Sequence, residues 1–111
     1  MSVRDMALAA TDLPSEVVKI PEWDCEVAVR SMTARARDAF EHGVVEAGMD
    51  NFRARLVVAT AVDPETGEPA FTVDDLDWLG DRSAVAVGAL YDVAARLNGI
   101  SDADAEELEK N

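Results

Sequence analysis

Two short segments around a four-residue connection constrain this chain more than any other feature. Glu16-Val-Val-Lys-Ile20 and Cys25-Glu-Val-Ala-Val-Arg30 flank Pro21-Glu-Trp-Asp24. In the second segment Cys25, Val27 and Val29 alternate with Glu26, Ala28 and Arg30, the period-two pattern of a strand with one buried face. A four-residue connection makes an antiparallel hairpin the economical arrangement of residues 16–30. A lone two-stranded hairpin is marginal in water, so the rest of the chain must supply something to pack on.

What the rest supplies reads as helix. Thr33 is placed as an N-cap, and Ala36, Phe40, Val44 and Ala47 recur on one face. Gly43 weakens that run, and Gly48 suits its C-terminal stop. Residues 52–62 are apolar on every side from Leu56 to Val62, which fits a buried helix or a buried strand; length favours helix. Asp63-Pro-Glu-Thr-Gly-Glu-Pro69 is a loop. Thr72 with Asp75 forms an Asp variant of the capping box, with Phe71 and Leu76 at the staple positions. Gly80 and Ser83 mark a break and a new cap. Val87, Leu90, Tyr91, Ala94 and Leu97 then line one face as far as Asn98-Gly99. Ser101 with Asp104, and Ile100 with Ala105, repeat the cap and staple, but only Leu108 follows as an apolar contact. The expected fold class is therefore α+β, a hairpin (about 16–30) packed on a mainly helical bundle of four to five helices. No repeat or linker divides the 111 residues, so a single domain is expected, with a short N-terminal helix or arm (1–12) and a solvated C-terminal helix (101–111).

Composition narrows the function. Of 54 hydrophobic residues, 19 are Ala and 6 are aromatic, so each buries little area and the core should be only modestly stable by itself. That thinness points to an oligomer or a partner. The 23 acidic and 10 basic side chains give a net charge of -13, which disfavours both a phosphate backbone and an anionic membrane. The charge is uneven: residues 63–111 hold 13 acids against 3 bases, the composition of a solvated face. A single cysteine allows no internal disulfide and fits a reducing compartment. The chain has neither an apolar run long enough for a membrane span nor a secretion signal, so an intracellular, soluble protein is expected.

Candidate chemistry is sparse. His42, the only histidine, has no nucleophile beside it in sequence. Cys25 lies between Asp24 and Glu26, the wrong electrostatics for a reactive thiolate, and reads as a small core residue. The acids of 63–75 do not keep calcium-loop register, because Gly67 falls at position five when Asp63 is position one. Phosphate-loop, dinucleotide and zinc patterns are missing. No cofactor, no metal and no catalytic residue are expected. Trp23 at the hairpin tip and Trp78 in a short acidic helix read either as core or as exposed interface anchors.

Taken in order, Leu8-Ala-Ala-Thr-Asp-Leu-Pro14, Val17-Val-Lys-Ile-Pro-Glu-Trp23, Val27-Ala-Val-Arg30 and Met32-Thr-Ala-Arg-Ala-Arg-Asp-Ala-Phe-Glu41 resemble the tail assembly chaperones of long-tailed bacteriophages. Asp63–Phe71, Asp74-Asp-Leu-Asp-Trp-Leu79 and Val93-Ala-Ala-Arg-Leu-Asn98 extend the resemblance over roughly residues 8–111. Asp24 departs from the family's Gly after Pro-Glu-Trp, and Ala36 from its Glu. The resemblance implies a non-enzymatic protein of the host cytoplasm, not retained in the mature virion. It would bind the tape measure protein and keep it soluble while the tail tube polymerises. Further implied partners are a frameshifted long form of the chain itself and the tail tube protein. Glu109-Lys110-Asn111 can be encoded by a slippery heptamer. Trp23, Phe40, Val44, Trp78 and Tyr91 are the expected partner-binding residues. Two other classes compete. An acidic mimic of nucleic acid would exploit the net charge, although Asp63, Asp75 and Asp104 have local turn and capping roles. A small structural head–tail component of the virion is the other.

Overall fold

A computed structural model of the chain describes residues 1–101. Helix α1 (Val3–Ala9) opens with a capping box in which the Ser2 hydroxyl accepts the Asp5 N–H, and none of its residues is buried. Strands β1 (Ser15–Ile20) and β2 (Cys25–Arg30) pair antiparallel from Ser15↔Arg30 to Ile20↔Cys25. Their connection is one 3₁₀ turn, Pro21–Trp23, closed by Asp24 at φ 51°, ψ 44°. That left-handed conformation favours glycine, and Asp is among the few other residues that adopt it readily.

Helix α2 (Ala34–Ala47) begins at Thr33, whose hydroxyl accepts the Ala36 N–H at 3.0 Å. Ala36 stands where a Glu would complete the box, so only half of that motif forms. Phe40 and Val44 are buried as the periodicity requires, whereas Ala47 in the last turn is exposed. The ambiguous stretch resolves into both of its readings. Helix α3 (Phe52–Thr60) leads directly into strand β3 (Ala61–Val62), which pairs with β2 at Ala28 and Val29 and makes the sheet three-stranded, in the order β1-β2-β3. Thr60 ends the helix by donating its hydroxyl to the Leu56 carbonyl.

The 63–69 loop folds back on β3: Asp63 N–H donates to Glu68 O, Gly67 N–H to Asp63 O, and Ala70 N–H to Ala61 O. Gly67 takes φ 76° there. The Thr72–Asp75 box forms, but around a 3₁₀ turn (Val73–Asp75) that continues into helix α4 (Leu76–Gly80). Ser83 caps helix α5 (Ala84–Leu97). At the far end Gly99 N–H donates to Arg96 O and Ile100 N–H to Ala95 O, the paired bonds of a Schellman stop, with Gly99 at φ 64° and Ile100 buried. Asn98 does more than end the helix. Its Oδ1 accepts the Met32 N–H at 2.7 Å, and its carbonyl accepts from Arg37 at 3.0 Å, joining α5 to the start of α2.

The resulting protein is α+β, a three-stranded antiparallel sheet with five helices among the described residues. Its core is one cluster built from Ile20, Val27 and Val29 of the sheet, Phe40 and Val44 of α2, Leu56 and Val57 of α3, and Val87, Leu90 and Ala94 of α5. One expected core residue is absent from it. Cys25 is exposed at the hairpin end of β2, although Ile20, its cross-strand partner, is fully buried. The C-terminal helix expected from Asp104, Ala105 and Leu108 lies outside the described residues. No helix among those described is long and apolar enough to cross a membrane.

Candidate functional site

Four of the five residues singled out from sequence fall into two chains of aromatic contacts, and the fifth, Val44, lies in the core. Phe40 and Val44 are buried in the core, where Phe40 meets Phe52 edge-to-face at 5.7 Å and Phe52 meets Tyr91 at 6.1 Å. Arg53 lies 5.6 Å over the Tyr91 ring. In the second chain Trp23 meets Phe71 at 6.4 Å, Phe71 meets Trp78 at 5.9 Å, and Arg82 lies 5.5 Å over Trp78. Each chain thus runs outward from the core to a guanidinium on a ring face, a geometry in which the ring's negative face attracts the cation. Trp23 is half-buried, with Phe71 over it, while Trp78 remains 41% exposed.

Trp78 is held by its own turn. Its Nε1–H donates to Asp75 Oδ1 at 2.9 Å, while the other Asp75 oxygen accepts the Thr72 N–H at 2.8 Å. The backbone bond first, and the indole bond second, hold the Asp75 carboxyl below its ordinary value. The capping residue therefore also orients the exposed aromatic.

Between the two aromatic chains lies an open pocket of about 620 Å³ at the N-terminal end of α3 and the C-terminal end of α4. Leu79, Phe52 and Val87 supply apolar wall, and Arg53 and Arg82 both line it. Among the described residues no carboxylate lines it, although the exposed Asp50 and Asp81 adjoin lining residues in sequence. Asn51 fixes its shape. At φ 55° it turns the chain into α3 without capping that helix, and its Nδ2 donates 2.7 Å to the Leu76 carbonyl of α4. Gly80 leaves room for this side chain, since a Cβ there would lie 2.6 Å from Asn51 Oδ1 and one of the two would have to shift.

A second, more apolar groove of about 290 Å³ separates α2 from α3. Ala36, Ala39, Gly43, Val58, Ala59 and Leu76 line it, with Arg55 alongside. Its small side chains would let another apolar helix approach closely. Further exposed apolar residues are Val3, Met6 and Leu8 in α1 and Leu13 just after it. His42 is exposed, with its Nε2 3.2 Å from Glu46 Oε1. Among the described residues no three His, Cys, Asp or Glu groups could share a metal ion.

In the sequence, Trp23 and Trp78 read as core or interface anchors and Tyr91 falls on an apolar helix face, but Arg53, Arg82 and Asn51 were not singled out. The four-residue spacing of Trp78 in α4 and Arg82 just beyond it carried a signal for the second stack. Nothing local signalled Asn51, whose role depends on a carbonyl 25 positions away.

No protein-family model matches the chain, and comparison with curated protein sequences returns no match. Solved structures do match. Over 90% of this chain and 96% of the other, at 21% identity and a TM-score of 0.61, the chain has the fold of the tail assembly chaperone of bacteriophage HK97.

Proposed function

We propose that this chain is a non-enzymatic tail assembly chaperone that binds the tape measure protein and keeps it soluble while the tail tube forms. The observation that carries the proposal is the shared fold with the HK97 chaperone across nearly the whole of both chains. The surface is consistent with it. An apolar groove lined by alanine and glycine, and a half-exposed Trp78, are features that accept amphipathic helices. A net charge of -13 keeps a complex with an apolar client dispersed. In this reading the protein acts in the host cytoplasm, alone or with a frameshifted longer form, and leaves before the virion matures.

Affinity purification of the tagged chain from cells making the tail proteins tests the proposal. The tape measure protein should be recovered in near-stoichiometric amount. Its absence, or abundant copies of this chain in purified virions by mass spectrometry, would reject the chaperone reading in favour of a structural one. Capture of a basic DNA-processing enzyme, released steeply by salt, would favour nucleic-acid mimicry instead.

A further inference from the structure

We infer that the Arg53–Arg82 pocket receives a carboxylate side chain presented by an apolar helix of the client protein. The inference rests on the chaperone reading and names the chemistry of one contact within it. The charge distribution motivates it. In a chain with 23 acids and 10 bases, two arginines line one pocket and, among the described residues, no carboxylate does. Neither arginine forms an ion pair among the described residues; each instead lies on an aromatic face. A stacked guanidinium is held in place by the ring and keeps its N–H fork available at the edge, where a carboxylate binds bidentately.

Two further features favour an anion. Asn51 directs its side-chain amide to Leu76 instead of capping α3, so the first turn of that helix lines the pocket through Phe52, Arg53 and Ala54 with no side-chain cap, although the Phe52 N–H itself donates to Met49 O. The apolar wall of Leu79 and Val87 suits the methylene stem of a Glu below its carboxylate. The surrounding field selects the rest of the ligand. A strongly acidic segment is repelled by the net charge of -13, whereas one carboxylate among apolar or basic residues is not. The pocket therefore sets register: it fixes which turn of an otherwise uniform apolar helix lies against the protein.

The test uses overlapping 18-residue peptides spanning the tape measure protein, each also made with Asp and Glu replaced by Asn and Gln. Binding to the full chain is read by fluorescence anisotropy. At least one peptide should bind and lose about 10- to 100-fold in affinity when its carboxylates become amides. The Arg53→Gln/Arg82→Gln variant, with its melting temperature checked, should show a similar loss and no further loss with the amide peptide. Arg82→Lys, which keeps the charge but not the fork, should lie between. Peptides that bind equally in both forms would overturn the inference and leave the chaperone reading intact. If no peptide binds the wild-type chain, the chaperone reading fails and takes the inference with it. An arginine variant that dissociates a dimer while peptide binding is unchanged would give the pocket to a second copy and also overturn it.

Discussion

Replacing Gly80 with alanine should destabilise the protein through one side chain, Asn51. The three atoms nearest to a Cβ at Gly80 are Asn51 Oδ1, Nδ2 and Cγ, at 2.6, 2.9 and 3.0 Å. Two responses are open. Asn51 can swing away, losing its 2.7 Å bond to the Leu76 carbonyl, at a cost of about 1 kcal/mol. Alternatively α4 moves off α3, an overpacking response of about 1–3 kcal/mol. Alanine's helix preference over glycine offsets less than about 1 kcal/mol at a helix end. The net loss should be about 1–2 kcal/mol, or roughly 4–10 °C in melting temperature. Asn51→Gly tests the mechanism, because glycine accepts the φ of 55° and carries no side chain to strike. In that background Gly80→Ala should be neutral or stabilising, so urea unfolding of all four proteins should give a coupling of about 1–3 kcal/mol. Additive effects would refute the steric argument.

Other perturbations separate elements that matter for stability from those that do not. Deleting residues 1–12 should leave the melting temperature almost unchanged in calorimetry, because α1 buries nothing; a large fall would mean the arm packs on the body. Leu90→Ala, at a fully buried position, should cost about 2–5 kcal/mol in denaturant unfolding. Asp24→Gly should raise the melting temperature by a few degrees, since it relieves about 0.5–1 kcal/mol of left-handed strain. Asp75 has a lowered carboxyl pKa in the folded state, so its stabilising effect is present above the ordinary aspartate value and disappears as pH falls through the lowered one. The melting difference between wild type and Asp75→Asn should be constant near neutrality and vanish in acid; a difference that grows on acidification would contradict this sign.

The hairpin and the helices between Thr33 and Asn98 were legible because their signals are local. Alternation in β2, the hydroxyl caps at Thr33, Thr72 and Ser83, and the Asn98-Gly99 stop each act within a few residues. Residues 52–62 resisted because their apolar pattern has no period, and the outcome was set by β2, whose free edge at Ala28 and Val29 takes up Ala61 and Val62. Cys25 misled for a related reason: alternation says which face a side chain is on, not whether another element covers it. At the site, the aromatic residues were visible by type, yet Phe40 and Val44 serve the core while Trp78 reaches solvent. The arginine pocket depends on where α3 and α4 meet, which no short-range pattern encodes.

The chaperone reading meets its most direct test in the solubility of the client. The tape measure protein should be expressed alone, with this chain, and with this chain plus any frameshifted form, and its soluble fraction measured after centrifugation. The proposed role requires that most of the tape measure protein moves from pellet to supernatant when the chain is present and comigrates with it in size-exclusion chromatography. A tape measure protein equally insoluble in all three cases would contradict the role.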